Sequence, residues 1–133
     1  MTISGSLDAN VVLRLLLNDV PEQHEAVLKL LDQASGQFVV ADTAIMETVF
    51  ALSKHYGLTR AVVVEAIRGL MSLTEIKCNQ VLFEKALPLY ARHPKLSFED
   101  CCLASYAELT DASPLWTFDR KLANQTTARL IPL

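Results

Sequence analysis

The chain has 133 residues, 51% of them hydrophobic and 20% charged, which excludes a disordered chain and fits a single domain over residues 1–133. Fifteen acids against twelve Lys and Arg give a net charge of −3 and a pI near 5.5. That balance excludes a broadly basic surface that coats nucleic acid, but leaves room for a small local basic rim.

No apolar run approaches the ~18 residues that span a bilayer, so no membrane contact is expected. Met1-Thr2-Ile3-Ser4-Gly5-Ser6 lacks the basic start of a secretory leader. Cys78, Cys101 and Cys102 have no C-x-x-C spacing and read as reduced thiols. A cytoplasmic location is the expectation.

In chain order, residues 3–7 form a strand of weak propensity, because Ser4, Gly5 and Ser6 are poor strand formers. Gly5 is a place where another backbone can approach closely. Residues 9–17 form a helix apolar nearly all round, and so largely buried. Asp19-Val20-Pro21-Glu22 has the pattern of a capping box with proline in the first turn. The helix it starts carries Ala26, Leu30 and Ala34 on one stripe, with Val27 and Leu31 beside it, and Gly36 as its stop. Residues 38–41 are a short continuous apolar run, the pattern of a strand covered on both faces.

Asp42 or Thr43 caps the next helix, to about residue 56, and Thr59 starts another to about residue 71. Residues 74–78 alternate as a short strand. A helix over 79–92 contains Pro88, expected to kink or shorten it. Ser97 caps a helix over 98–109, residues 115–118 form a strand, Asp119 opens a short helix to 125, and residues 129–131 close the chain as a strand. Strands alternating with helices imply right-handed crossovers and a three-layer α/β/α sandwich with a short central parallel sheet.

Parallel sheets collect their functional groups at the carboxyl ends of the strands. Asp8 and Asp119 each follow a strand directly, Glu47 lies about one turn into the helix after the second strand, and Asp100 sits in the first turn of the helix that Ser97 opens. Each of Asp8, Asp100 and Asp119 has a second role open to it, as a helix cap or first-turn acid. Glu47 is different. Its neighbours three and four residues away are Thr43, Ala44, Phe50 and Ala51, with no cation among them. An acid on such an apolar face calls for a partner or a metal.

Two carboxylates ~5 Å apart repel by roughly 3 kcal/mol at an effective dielectric of about 20, so four in one place require a cation or protonation. Hard oxygen donors select Mg²⁺ or Mn²⁺ over zinc. Such a site suits phosphodiester hydrolysis.

The segments Leu7-Asp8-Ala9-Asn10-Val11-Val12-Leu13-Arg14-Leu15-Leu16, Ile45-Met46-Glu47-Thr48-Val49, Phe98-Glu99-Asp100 and Trp116-Thr117-Phe118-Asp119-Arg120-Lys121 resemble the PIN-domain family. Within it they are most similar to toxin ribonucleases of the VapC type. The resemblance spans essentially the whole chain. It implies a PIN-like fold and an acidic metal-binding quartet of Asp8, Glu47, Asp100 and Asp119, with Asn10 and Thr117 as supporting polar positions. It further implies a Mg²⁺- or Mn²⁺-dependent endoribonuclease cutting tRNA or ribosomal RNA, a small antitoxin partner, and a homodimer. Ser4-Gly5-Ser6 departs from the family's more apolar first strand. Cys101-Cys102 departs from the small apolar residues that usually follow the third acid.

Other functional readings are weaker. His24, His55 and His93 show no ligand spacing and read as surface or helix-end residues. Cys101 and Cys102 read as small core residues. Trp116 and Phe118 read as strand packing. None of the four glycines falls in a phosphate-loop pattern. Arg14, Arg92, His93, Lys95, Arg120 and Lys121 lie near the ends of acid-bearing elements. Of these, Arg14, Arg120 and Lys121 are candidates for an RNA-contacting rim. A phosphatase of the haloacid-dehalogenase type fits poorly, because Asn10 stands where its second acid would be. A non-catalytic PIN-like binding module and a housekeeping RNA-processing nuclease are the alternatives to a toxin.

Overall fold

Three short strands between residues 3 and 77 form a parallel sheet in the computed structural model, which describes residues 2–133. The strands are β1 (Ile3–Ser6), β2 (Gln37–Val39) and β3 (Ile76–Lys77), with β2 in the middle. Pairing extends beyond the strand ends, since Leu7 N–H donates to the Val39 carbonyl at 2.9 Å and Val40 N–H to that of Lys77 at 2.9 Å. Helices α1 (Ala9–Leu16), α2 (Pro21–Gln33), α3 (Asp42–Lys54) and α4 (Arg60–Met71) connect these strands. Residues up to Asn79 make up one compact unit.

The second unit begins at Gln80. It holds α5 (Gln80–Arg92), α6 (Phe98–Leu109), β4 (Trp116–Thr117), α7 (Arg120–Gln125) and β5 (Arg129–Leu130). Strands β4 and β5 pair in parallel, with Trp116 opposite Arg129 and Thr117 opposite Leu130. The chain is thus an α/β fold with seven helices among the described residues and parallel strands throughout, as the alternation of patterns predicts.

In the first unit, α1 packs on α2 and α3, and α3 on α4. Val12, Ile45, Val49, Leu52, Val63, Ile67 and Leu70 are fully or almost fully buried there. Removing such side chains from water drives folding, at ~1.5–3 kcal/mol each. In the second unit α5 packs along α6. Phe98 stacks on Phe83 with centroids 5.9 Å apart and meets Tyr90 edge-on at 5.4 Å. Each such aromatic pair adds about 0.5–1.5 kcal/mol beyond area burial. Cys101 and Cys102 are buried in α6, matching the core reading of both.

Several local expectations are corrected. The weak strand does form, but Gly5 serves it by conformation: its φ is +144°, at a register irregularity in β1, and it faces the Phe38 ring. The close backbone approach belongs to Gly36, where a Cβ would lie 2.3 Å from the Thr2 carbonyl oxygen. Gly36 is therefore not the stop of α2, which ends at Gln33. The buried stripe of α2 is Val27 and Leu31, while Ala26 and Leu30 are exposed.

No capping box starts α2. Val20 is its N-cap without a side-chain bond, and Asp19 turns to Arg14 and Tyr56 instead. Nor do Asp42 and Thr43 cap α3. Ala41 does, and Asp42 accepts a hydrogen bond from Asn79 at 3.3 Å. Helix α5 reaches Arg92 as expected, with Pro88 inside it and no shortening there.

Candidate active site

Asp8 caps α1 in the extended conformation a cap requires (φ −82°, ψ 174°), and its Oδ1 accepts from the Val11 N–H at 2.9 Å. The strand-to-helix turn leaves the side chain exposed. Asp8, Asn10 and Arg14 line an open cleft of about 330 Å³ with Val11, Val27 and Gln23, a polar side chain that the sequence reading did not single out. Gln23 lies on a different helix, and no local spacing connects it to Asp8.

Arg14 is less available than a rim residue would be. Its Nη1 pairs with Asp19 at 3.1 Å and its Nη2 donates to the Tyr56 hydroxyl at 2.8 Å, while that hydroxyl donates to Asp19 at 2.7 Å. The Tyr56 hydroxyl, ahead of the Arg14 charge, holds the Asp19 carboxyl below its ordinary pKa. His24 secures this same C-terminal end of α1, its Nδ1 lying 2.8 Å from the Arg14 carbonyl oxygen. The carbonyl is an acceptor, so Nδ1 carries the proton. This agrees with the helix-end reading of His24.

Glu47 lies in α3, and the premise of a costly apolar setting is corrected: its side chain is exposed. The reason is visible along the helix. Buried Ala44, Thr48 and Val49 face inward, whereas Thr43, Glu47 and Phe50 are on the exposed side. Glu47 has no ion pair or hydrogen bond from its carboxylate to any described residue.

In the second unit, Ser97 caps α6 by accepting from the Asp100 N–H at 3.0 Å, which fixes Asp100 in the first turn with a part-exposed carboxylate that is in no ion pair among the described residues. Asp119 caps α7. Its Oδ1 accepts from Lys121 N–H at 2.9 Å and Leu122 N–H at 3.3 Å, while its own N–H donates to Thr117 Oγ1 at 3.0 Å. Thr117 thus positions Asp119 from two residues away. Arg120 and Lys121 follow, both exposed and without ion pairs among the described residues. The two ion pairs found among those residues, Arg14–Asp19 and Lys85–Glu108, use none of the four acids.

A family model of the PIN domain matches residues 6–126, which include all four acids. The chain belongs to the PIN-domain family. PIN domains are generally nucleases and typically use divalent metal ions. No individual curated protein matches this one.

The chain offers, in these acids, hard carboxylate oxygens of the kind a divalent ion prefers, none of them ion-paired with Lys or Arg among the described residues. It does not present a ready-made shell: among the described residues, no three His, Cys, Asp or Glu side chains form a group able to hold a metal. Among those same residues, no helix is long and apolar enough to cross a membrane.

Proposed function

We propose that this PIN domain, acting as one nuclease domain, is a metal-dependent endoribonuclease that hydrolyses RNA phosphodiester bonds. Asp8, Glu47, Asp100 and Asp119 would hold Mg²⁺ or Mn²⁺ directly or through water. The observation that carries the reading is that the family match encloses four carboxylates, none of them ion-paired within the described residues. A bound divalent cation supplies charge neutralisation and a more acidic water for attack on phosphorus.

The chain's own residues do the rest. Asp8 and Asp119 are fixed by capping bonds through Oδ1, which leaves Oδ2 of each to face a ligand. Thr117 holds the backbone at Asp119, and Asn10, exposed in the first turn of α1, orients water or a phosphate oxygen. Arg120 and Lys121 contact phosphates.

The same reading makes the chain the toxin of a type II toxin–antitoxin pair, a cytoplasmic homodimer cutting tRNA or ribosomal RNA and blocked by a small antitoxin. The support is the resemblance of the four acid-bearing segments to VapC-type toxins. RNA cleavage by the purified protein tests the activity: cleavage in Mg²⁺, with loss in EDTA and in Asp8→Asn and Asp100→Asn, is expected. Equal cleavage by the variants would refute the assignment. Growth arrest on induction, relieved by the product of an adjacent small reading frame, tests the toxin role.

A further inference from the structure

An open cleft of about 380 Å³ lies within the second unit, between α5, α6 and the turn from α7 to β5. Lys85 and Arg92 of α5 line it, with Glu108 of α6, Gln125 at the end of α7, and Thr127 in the turn. Leu89 and Ala104 add apolar surface between these polar groups. Gln125 ends the helix that Asp119 opens, ~9 Å away along its axis, and Glu108 lies two turns along α6 from Asp100. The cleft is therefore separate from both acids of this unit.

Part of the lining is satisfied internally. Lys85 Nζ pairs with Glu108 Oε2 at 2.8 Å, and Thr127 Oγ1 donates to Glu108 Oε1 at 2.7 Å. These contacts, Lys85 first, hold the Glu108 carboxyl below its ordinary pKa, so it stays ionised. A clamp joining α5, α6 and the turn needs nothing more. The groups left over are all donors. Arg92 is exposed, and its guanidinium makes no ion pair or hydrogen bond with any described residue. His93 Nδ1 lies 2.9 Å from Gln125 Oε1 and donates to it, which leaves the amide NH₂ without a partner among those residues. Lys85 keeps N–H groups beyond the one on Glu108. Lys85 and Arg92 against Glu108 leave one surplus positive charge in the cleft.

We propose that this cleft binds a phosphate group, with Arg92 and the Gln125 amide as its principal donors and Lys85 completing them. A site with surplus donors and surplus positive charge calls for an anion that only accepts. The guanidinium fork takes two oxygens at once, and donors from two helices suit the several oxygens of a tetrahedral oxyanion better than a flat carboxylate. One surplus charge matches a phosphodiester or a singly ionised phosphate. The group is either a free phosphate or a backbone phosphate of RNA, which share this chemistry.

The test is an NMR titration of the intact, nitrogen-labelled protein in EDTA, read at the Gln125 side-chain amide and the Thr127 backbone N–H. One arm uses inorganic phosphate, the other a short 2′-O-methyl oligonucleotide without terminal phosphates. Saturable shifts at both groups are expected. Tighter binding by inorganic phosphate marks a site for a free ligand, and tighter binding by the oligonucleotide marks a backbone site. Arg92→Ala should weaken binding at these groups by roughly ten- to 100-fold, and Arg92→Lys should retain part of it. Gln125→Glu keeps an acceptor for His93 but replaces the donor with a negative charge. It should abolish the shift at Thr127.

No shift at Gln125 and Thr127 in either arm would overturn the site. So would an Arg92→Ala variant that binds both probes as tightly as the parent, with an equal melting temperature showing that it is folded. Because no cleavage is read, failure here is distinct from failure of the nuclease assignment.

Discussion

Thr117 Oγ1 accepts a hydrogen bond from the backbone N–H of Asp119 at 3.0 Å, while Asp119 Oδ1 accepts from the N–H groups of Lys121 and Leu122. The hydroxyl, the turn and the carboxylate therefore form one unit. Thr117→Val removes the acceptor and strands that N–H. It should cost about 0.5–1.5 kcal/mol of stability and lower RNA cleavage, while Thr117→Ser should retain both. Thermal melts and initial cleavage rates of the two variants check this.

Asp8 combines capping with an exposed charge, and substitution separates the two. Asparagine caps as well as aspartate, so Asp8→Asn should leave the melting temperature near that of the parent while abolishing cleavage. Asp8→Ala should in addition lose about 0.5–2 kcal/mol. Denaturant titration beside the cleavage assay distinguishes them, and a strongly destabilised Asp8→Asn would contradict the separation.

These caps show what was legible in the sequence. Asp8, Thr59, Ser97 and Asp119 all cap the helices expected of them, because a cap is settled within three residues of chain. Asp19 and Asp42 have the same residue type and do not cap. Each finds a partner 37 residues away, Tyr56 for one and Asn79 for the other, which no local pattern reveals. Glu47 lacks a helical cation, as its neighbours in sequence show, but it faces outward and not onto the apolar side, since α3 buries Ala44 and Thr48 instead. Trp116 and Phe118 are exposed rather than strand packing, because β4 ends at Thr117 and an apolar run does not tell whether anything covers it.

Two glycines should respond in opposite directions to alanine. At Gly36 a Cβ would meet the Thr2 carbonyl at 2.3 Å, so Gly36→Ala must shift the backbone beside β1 and should destabilise by about 1–3 kcal/mol. At Gly69, inside α4, a Cβ would meet nothing within 4 Å, and Gly69→Ala should stabilise by about 0.5–1 kcal/mol. Paired denaturation curves decide both.

Asp19 carries a pH signature. Its folded-state pKa lies below the ordinary aspartate value, chiefly through the Tyr56 hydroxyl. The contribution is therefore present above the unfolded pKa and is lost as pH falls below about 4 and through the lower folded value. Tyr56→Phe should move the Asp19 titration upward and flatten this part of the acid limb. NMR titration of the Asp19 carboxyl measures the shift directly, and an unmoved pKa would exclude Tyr56 as its cause.

Glu47 offers the cleanest probe of the proposed mechanism, since its exposed carboxylate bonds to no described residue and Glu47→Gln should leave the fold alone. The decisive measurement is the initial rate of RNA cleavage by the parent and by Glu47→Gln, each in Mg²⁺ and in EDTA, with melting temperatures recorded alongside. The account predicts Mg²⁺-dependent cleavage by the parent, a loss on the order of 100-fold in the variant, and equal melting temperatures. Cleavage that survives EDTA, or a Glu47→Gln variant as active as the parent, would contradict it.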